Sequence, residues 1–306
     1  MSQPKLVLIG GNGFLGRHLA VHFQSIGYQV VSISRTGAGD VRWDGRTLGP
    51  WAQELDGADL LINLAGRSVD CRYSAAHRRE ILASRVDSTR LLAQAVAACS
   101  QPPRVWLNSS TATIYPDTWG AAPANAEVAA TPGGPFSEEV GRAWEQAFFE
   151  AAVPAATRQV ALRTAIVLGS DGGAFPVMSR LARWGLCTPQ GTGQQGVSWL
   201  HILDFCRAVE FIAHTDALRG PVNLCAPHPL PNKEFNEMLS SYLRPLLRLP
   251  QPRWLLEVGA FGLRTETELI LKSRKVYPAR LLAEGFQFAY PSCAAAVGEL
   301  LGKSQA

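Results

Sequence analysis

Lys5-Leu6-Val7-Leu8-Ile9-Gly10-Gly11-Asn12-Gly13-Phe14-Leu15-Gly16 is the stretch from which the rest of the chain can be read. The apolar run 6–9 enters a glycine cluster, and a helical pattern over 14–25 follows it, so the order strand, tight turn, helix is predicted. Gly10 permits the turn, Gly13 lets the backbone approach a pyrophosphate, and Gly16 lets helix and strand pack closely. Amide N–H groups at the helix start point towards an anion there, and the helix dipole favours its charge. Gly10, Gly11, Asn12, Gly13, Phe14 and Leu15 are therefore the candidate cradle for dinucleotide phosphates. A glycine triplet alone is weak evidence; set between a strand and a helix it is much stronger.

The same rhythm continues outward. Strands are predicted at 30–34, 41–43, 60–65, 105–110 and 159–168, and helices at 75–98 and 136–152. Several strands are apolar at consecutive positions, as parallel strands buried on both faces are. The fold class is α/β: a Rossmann-like doubly wound parallel sheet with a small, mostly helical C-terminal substrate lobe. Residues 1–169 and 197–226 are expected to form the nucleotide-binding domain, and 170–196 with 227–306 the substrate-side lobe. Segment 185–196 reads as a loop, 222–224 as one more strand, and the tail from residue 231 as helices broken by prolines at 245, 250, 252 and 278.

Composition bounds the function. The chain has 306 residues, 47% hydrophobic and 18% charged, which suffices for a full core and excludes disorder. A net charge of +4 gives no reason to expect nucleic acid as a partner. No stretch approaches the ~20 apolar residues of a membrane span, and 6–9 is too short for a signal-peptide core. The six cysteines (71, 99, 187, 206, 225 and 293) contain no C-x-x-C pair, so neither a disulfide framework nor a zinc site is expected. Cys71, Cys187 and Cys225 read as packing residues, having no neighbouring His or helix start to activate them. The expectation is a reduced, cytoplasmic protein acting on a small-molecule substrate; the oligomeric state stays open.

The second strand sets the cofactor preference. An NAD-binding unit usually places an acidic residue about 20 positions on, to hold the ribose hydroxyls. Here Ser34 and Arg35 stand at that strand end. A guanidinium can bind the 2′-phosphate of NADP and stack on adenine, so NADP is the expected cofactor.

The glycine spacing, with Asn63-Leu-Ala-Gly66 closing the next long strand, resembles the extended short-chain dehydrogenase/reductases. Ser84-Arg85-Val86, Trp144-Glu145, Leu162-Arg163, Ser198-Trp199-Leu-His201-Ile-Leu-Asp204 and Pro278-Ala-Arg280-Leu281 narrow the resemblance to an atypical NADP-binding subfamily described as nucleoside-diphosphate-sugar epimerases. It spans the whole chain. It implies that Leu64, Ala65 and Gly66 lie along the cofactor, that Arg85 reaches its phosphates and that Val167 lies near the nicotinamide. It also implies epimerase or oxidoreductase chemistry, with a nucleotide-linked substrate as one option.

The usual catalytic pair is missing. A short-chain dehydrogenase needs a Tyr to pass the proton and, four residues on, a Lys that lowers its pKa. With Glu145 as anchor, those positions fall on Ser137 and Gly141. What remains is the strand end Ser109-Ser110-Thr111-Ala-Thr-Ile-Tyr115, where Ser110 or Thr111 aligns with the family's catalytic hydroxyl and Tyr115 is a substitute acid–base candidate. The other reading makes these hydroxyls strand-end caps and packs Tyr115 under a loop. Arg72 is a candidate for holding an anionic ligand, or else a surface arginine. His201 is expected in the pocket wall, with Asp204 capping a helix over 205–214. The runner-up function is a non-catalytic NADP(H) sensor that keeps the cofactor site and has shed the chemistry.

Overall fold

The computed structural model describes residues 3–36, 39–127, 134–186, 188–245 and 272–302. The first strand, β1 (Lys5–Ile9), is central because Leu6, Val7, Leu8 and Ile9 are all fully buried, two on each face. It feeds α1 (Phe14–Ser25) and is followed by β2 (Gln29–Ser34), β3 (Val41–Arg42) and β4 (Leu60–Asn63). Then come α2 (Ala75–Ala97), β5 (Val105–Thr111), α3 (Phe136–Phe149) and β6 (Arg158–Thr164). Four short strands and two helices follow: β7 (Ile166–Gly169), β8 (Gly172–Gly173), α4 (Phe175–Arg183), β9 (Gly196–Val197), β10 (Trp199–His201) and α5 (Ile202–His214). The series ends with β11 (Gly220–Leu224), β12 (Leu230–Pro231), α6 (Asn232–Leu243) and helices at Ala279–Ala283 and Cys293–Leu300.

Seven strands form one sheet in the order β11-β6-β5-β4-β1-β2-β3, and every pairing is parallel. One face packs on α1 and α5 through Leu19, Phe23, Phe205 and Val209. The other packs on α2 and α3 through Leu92, Val96 and the edge-to-face pair Trp106–Phe148. The expected doubly wound architecture is therefore present. The strand order reverses beside β1, between β2 and β4, and the crevice at the C-terminal ends there is where such sheets take ligands.

Two local expectations need correcting. The predicted strand 159–168 is two strands, because the backbone changes partner at Ala165. Ala165 N still donates to Leu224 O of β11, whereas Ile166 N donates to Ser198 O, which carries β7 into a second small sheet with β10 and β8. Asp204 is not a helix cap: α5 begins earlier, and His201 caps it by accepting from Leu203 N at Nδ1 (3.1 Å). The fully buried Asp204 carboxylate instead accepts from Ala289 N and Tyr290 N, fastening the C-terminal segment to α5. Cys187, Pro250 and Pro252 lie outside the described residues.

Candidate functional site

The phosphate turn is shaped by contacts a side chain would destroy. Gly10 has φ +79°, and a Cβ there would lie 3.1 Å from the Leu64 carbonyl carbon, so only glycine fits both the backbone and the neighbour. A Cβ on Gly16 would come within 2.6 Å of Gly11, so α1 rests directly on the turn. Gly13 differs: the nearest atom to its Cβ position is Gly10 O at 3.5 Å, and that position faces open space. Gly13 caps α1 without any side-chain bond, leaving first-turn N–H groups available to an anion. Asn12 holds the turn's outer edge through Arg17 Nη1 to Asn12 O (3.0 Å). Phe14 is wedged against the β7–β8 hairpin, where a side chain on Gly169 or Gly172 would meet its ring at 2.5 Å.

The sheet edge beyond this turn carries the positive charge. Ser34 is buried, and its Oγ has no hydrogen-bond partner among the described residues. Arg35 follows, and the β2–β3 register sets Arg42 opposite Ser34. Both guanidinium residues line a cavity of about 450 Å³ together with Trp43, Trp51, Thr47 and Asp44. Asp44 is committed locally: its bonds from the Thr47 hydroxyl and from the Thr47 and Arg46 amides hold the carboxyl down to about 2. Arg42 escaped the sequence reading. Its signal was the two-residue pairing of β3 with the end of β2, which only the tertiary register reveals.

On the other side of β1, Leu64 N donates to Ile9 O, and Ala65 N donates to Asn63 Oδ1 (2.9 Å). This brings Leu64 and Ala65 against Gly10, beside the phosphate turn, while Gly66 lies against the Arg85 guanidinium. Val167 lies in β7 opposite Leu200 and is buried in the first core.

A second cavity of about 220 Å³ opens at the ends of β5 and β6. Leu15 links it to the phosphate turn, and Ser109, Ser110 and Thr111 form its strand-end wall. Ser110 Oγ donates to Glu145 Oε1 (2.6 Å), and Thr111 Oγ1 accepts from Thr113 N, so both hydroxyls are tied to the fold. Tyr115 is not in this wall. It is 2% exposed, donates to Asn223 Oδ1 (2.8 Å) and accepts from Arg163 Nη1 (2.8 Å). Burial pushes its phenol above the ordinary value, against the opposing pull of Arg163. Arg163 grips Glu145 with two bonds of 2.7 Å. Burial works against that guanidinium's charge, yet the bond and charge of Glu145 hold its pKa above the usual value. The expected cluster is thus divided: Ser110 and Thr111 face the cavity, while Tyr115 closes a buried network behind it.

The positions of the missing Tyr and Lys both lie on α3 beside the strand end. Ser137 lines the cavity from α3, and a Cβ on Gly141 would press on Thr111 Cγ2 and Ile114 Cβ at 3.1 Å. A lysine stem there would require Thr111 or Ile114 to shift by a few tenths of an ångström. Arg85 reaches the same cavity from α2, with Nη1 donating to Arg67 O and Ile81 O and its guanidinium carbon 5.0 Å from the Trp144 ring centre.

The structure brings two further candidates elsewhere. The Arg72 carbonyl accepts from Ser74 N within the turn before α2, and its exposed side chain is not part of the cavity wall. His201 is buried with its ring 4.0 Å from that of Tyr290 and Nε2 2.9 Å from Glu299 Oε2, fastening the last helix, also away from that wall. Among the described residues there is no metal-binding cluster and no helix long and apolar enough to cross a membrane. Cys71, Cys99, Cys206, Cys225 and Cys293 are free thiols; burial raises Cys225 well above the ordinary value and Cys206 to about 12.

Comparison with known proteins agrees with this geometry. Residues 251–300 match a domain of unknown function, DUF1731. The chain is 31% identical over 304 residues to the human epimerase family protein SDR39U1, covering 97% of this chain and 99% of that one. It is 28% identical to the epimerase family protein YfhF of Bacillus subtilis, over 97% of each. The crystal structure of human SDR39U1 (isoform 2) with NADPH superposes with a TM-score of 0.86 at 30% identity, over 97% of this chain and 99% of that chain. A nucleoside-diphosphate sugar epimerase from Corynebacterium glutamicum superposes with a TM-score of 0.80 at 28% identity, over 98% of this chain and 59% of that chain. The glycine turn, the sheet order and a match over residues 6–225 coincide: the chain belongs to the NAD dependent epimerase/dehydratase family.

Proposed function

We propose that this protein binds NADP(H) across the end of β1 and uses it on a small-molecule substrate in the strand-end cavity. The carrying observation is the β2 end, where a buried Ser34 hydroxyl without a partner among the described residues, Arg35 and Arg42 stand in place of a ribose-binding acid. The residues fit the cofactor. The open face of Gly13 and the uncapped start of α1 suit a pyrophosphate, and two guanidinium groups between indoles suit a phosphorylated adenosine. Leu64 to Gly66 and Val167 would flank the rest, and the likeness to a relative solved with NADPH supports the choice. In this division, residues 1–169 and 197–226 hold the cofactor, and 170–196 with 227–306 shape the substrate side.

When bound, the cofactor supplies a hydride or accepts one. Ser110 and Thr111 would orient a substrate oxygen at the strand end; their hydroxyls still have lone pairs to offer. Tyr115, already held by two partners, acts through Arg163 and Glu145 on the position of Ser110. The reaction class is oxidoreduction or epimerisation without the usual Tyr-Lys acid–base pair, so turnover of ordinary carbonyl substrates should be slow.

Calorimetric titration with NADPH and NADH tests the cofactor reading. NADPH should bind about 10- to 100-fold more tightly, the value of one or two charge-assisted contacts. Arg35→Asp should erase that gap. Equal affinity of the unaltered protein for both cofactors would overturn the reading.

A further inference from the structure

The strand-end cavity lacks a tyrosine from α3 but receives one from another element. Tyr73 is the one phenol among the described residues that line it, and it enters from the segment just before α2. Its backbone is fixed to the start of that helix: Ser74 caps α2 by accepting from His77 N (3.2 Å), and Arg78 Nε donates to Tyr73 O (3.2 Å). Its ring meets Phe136 edge-to-face, with centroids 5.2 Å apart and planes at 71°. Phe136 is buried at the start of α3 and is followed by Ser137, the position where the usual tyrosine would stand. A small side chain at 137 and a large one at 73 thus line the same space. The phenol packs on the residue next to the place it is missing from.

The charges around it suit a proton donor. Arg85 lines the same cavity; burial pulls its guanidinium down to about 10, and the charge of an ionised Tyr73 pulls it back up. That attraction is mutual, so the cation also favours the phenolate. Arg78 adds a second positive charge, its guanidinium carbon 5.9 Å from the Tyr73 ring centre and 4.7 Å from that of Phe136. Tyr73 is half-buried, so solvent can replace a proton it gives up. We infer that Tyr73 carries the acid–base proton of this cavity, replacing from the α2 side the tyrosine absent at Ser137, with Arg85 taking the part of the absent lysine. The inference rests on the reading of this cavity as the reacting end of the cofactor site. In the reducing direction a substrate carbonyl carbon gains a hydride from NADPH, its π electron pair moves to the oxygen, and that oxygen takes the proton from Tyr73 Oη. The products are an alcohol, NADP+ and a phenolate, which regains its proton from water. In the oxidising direction the phenolate takes the alcohol proton as the hydride leaves. Tyr115, behind the wall, has no part in the transfer.

The test begins with carbon NMR of the full chain labelled at tyrosine Cζ, whose signal moves when the phenol ionises; Tyr73→Phe assigns the signal. The ionisation constant of Tyr73 should be at least about tenfold larger in the unaltered protein than in Arg85→Gln, and Arg85→Lys should recover part of the difference. Arg85→Met, which keeps an apolar stem of similar length, replaces the glutamine variant if melting curves show that one unfolded. Equal constants would overturn the inference, and this titration needs neither substrate nor cofactor. Turnover is then followed by NADPH absorbance with phenanthrenequinone and isatin, flat carbonyl compounds suited to a cavity walled by Phe136, Val140 and the Trp144 ring. Tyr73→Phe should lower turnover by ~10²–10⁴, and Tyr115→Phe by less than about threefold. Calorimetry should find NADPH affinity in Tyr73→Phe within about threefold of the unaltered value. Turnover kept in Tyr73→Phe would overturn the inference. So would a loss of NADPH affinity of about tenfold or more in that variant, which would move the residue to the cofactor seat. Failure of the cofactor reading has a different signature: NADPH does not bind the unaltered protein, while the Tyr73 signal still responds to Arg85→Gln.

Discussion

The two ends of the crevice treat polar groups in opposite ways. At the β2 end, Ser34 Oγ has no partner among the described residues, and Arg35 and Arg42 line an open cavity. At the β5–β6 end, Ser110, Glu145, Arg163, Tyr115 and Asn223 satisfy one another in an unbroken chain of bonds between 2.6 and 2.8 Å. Groups left unsatisfied in a folded protein are available to a ligand, whereas groups that satisfy one another hold the fold. On the proposed reading the first end is where the cofactor's phosphate is bound, and most of the second is scaffold. Arg85 stands apart from that chain: it lines the strand-end cavity and donates to the carbonyls of Arg67 and Ile81.

The contrast breaks most visibly at the ion pair. Arg163 is 3% exposed, and Glu145→Ala would remove the carboxylate that balances its buried charge, a loss of about 3–5 kcal/mol. Urea denaturation of the purified variant should show this as a large fall in midpoint. Replacing both partners by methionine removes the stranded charge as well as its mate, so the double variant should be more stable than either single one. If the singles melt like the unaltered protein, the network is not scaffold and the comparison collapses.

How far the sequence could be read follows the same line. Gly10, Gly13 and Gly16 were legible because backbone geometry and close approach fix them, and those constraints are local. The parallel sheet was legible from apolar runs such as Leu6 to Ile9, which need no partner to be recognised. Tyr115 was not. Its nearness to Ser110 along the chain suggested a shared pocket, but Arg163, 48 positions away, draws the phenol behind the wall. Arg42 was missed for a similar reason: its meaning comes from its register with Ser34. Arg85 was noticed through resemblance, but that Glu80, Glu145 and Glu138 pair with other cations is visible only in the fold. The absence of a lysine at Gly141 was visible in the sequence; that α3 lies close against Thr111 and Ile114 there was not.

The binding end breaks at Gly13. Gly13→Val places a branched side chain in the space facing the phosphates, while the turn itself is set by Gly10 and the packing by Gly16. NADPH affinity should fall more than about 100-fold, equivalent to roughly 2.7 kcal/mol, with an unchanged melting temperature. Gly16→Val supplies the contrast, since its side chain would run into Gly11 and lower the stability of the whole domain. Tight NADPH binding by a folded Gly13→Val protein would mean that the phosphates lie elsewhere.

The smallest change sharpens the comparison most, because it asks on which side Tyr115 belongs. Tyr115→Phe keeps the ring, and with it the packing against Ala112, Ile114, Cys225 and Val276. It removes only the hydroxyl, leaving Arg163 Nη1 without one acceptor and Asn223 Oδ1 without one donor in a buried setting. Each unsatisfied group of that kind costs about 1–3 kcal/mol. Part of that loss is softened because Arg163 keeps both bonds to Glu145, so the lower half of the range is expected. Since Arg163 still holds Glu145, and Glu145 still holds Ser110, the strand-end wall should keep its shape. A scaffold role thus predicts a fall in denaturation midpoint, with NADPH affinity unchanged and any turnover altered by less than about threefold. A proton-transfer role predicts the reverse: normal stability and a rate reduced by the ~10²–10⁴ that acid–base catalysis contributes. Measuring both on the same preparation separates the two roles, and the buried bonds of this hydroxyl favour the first.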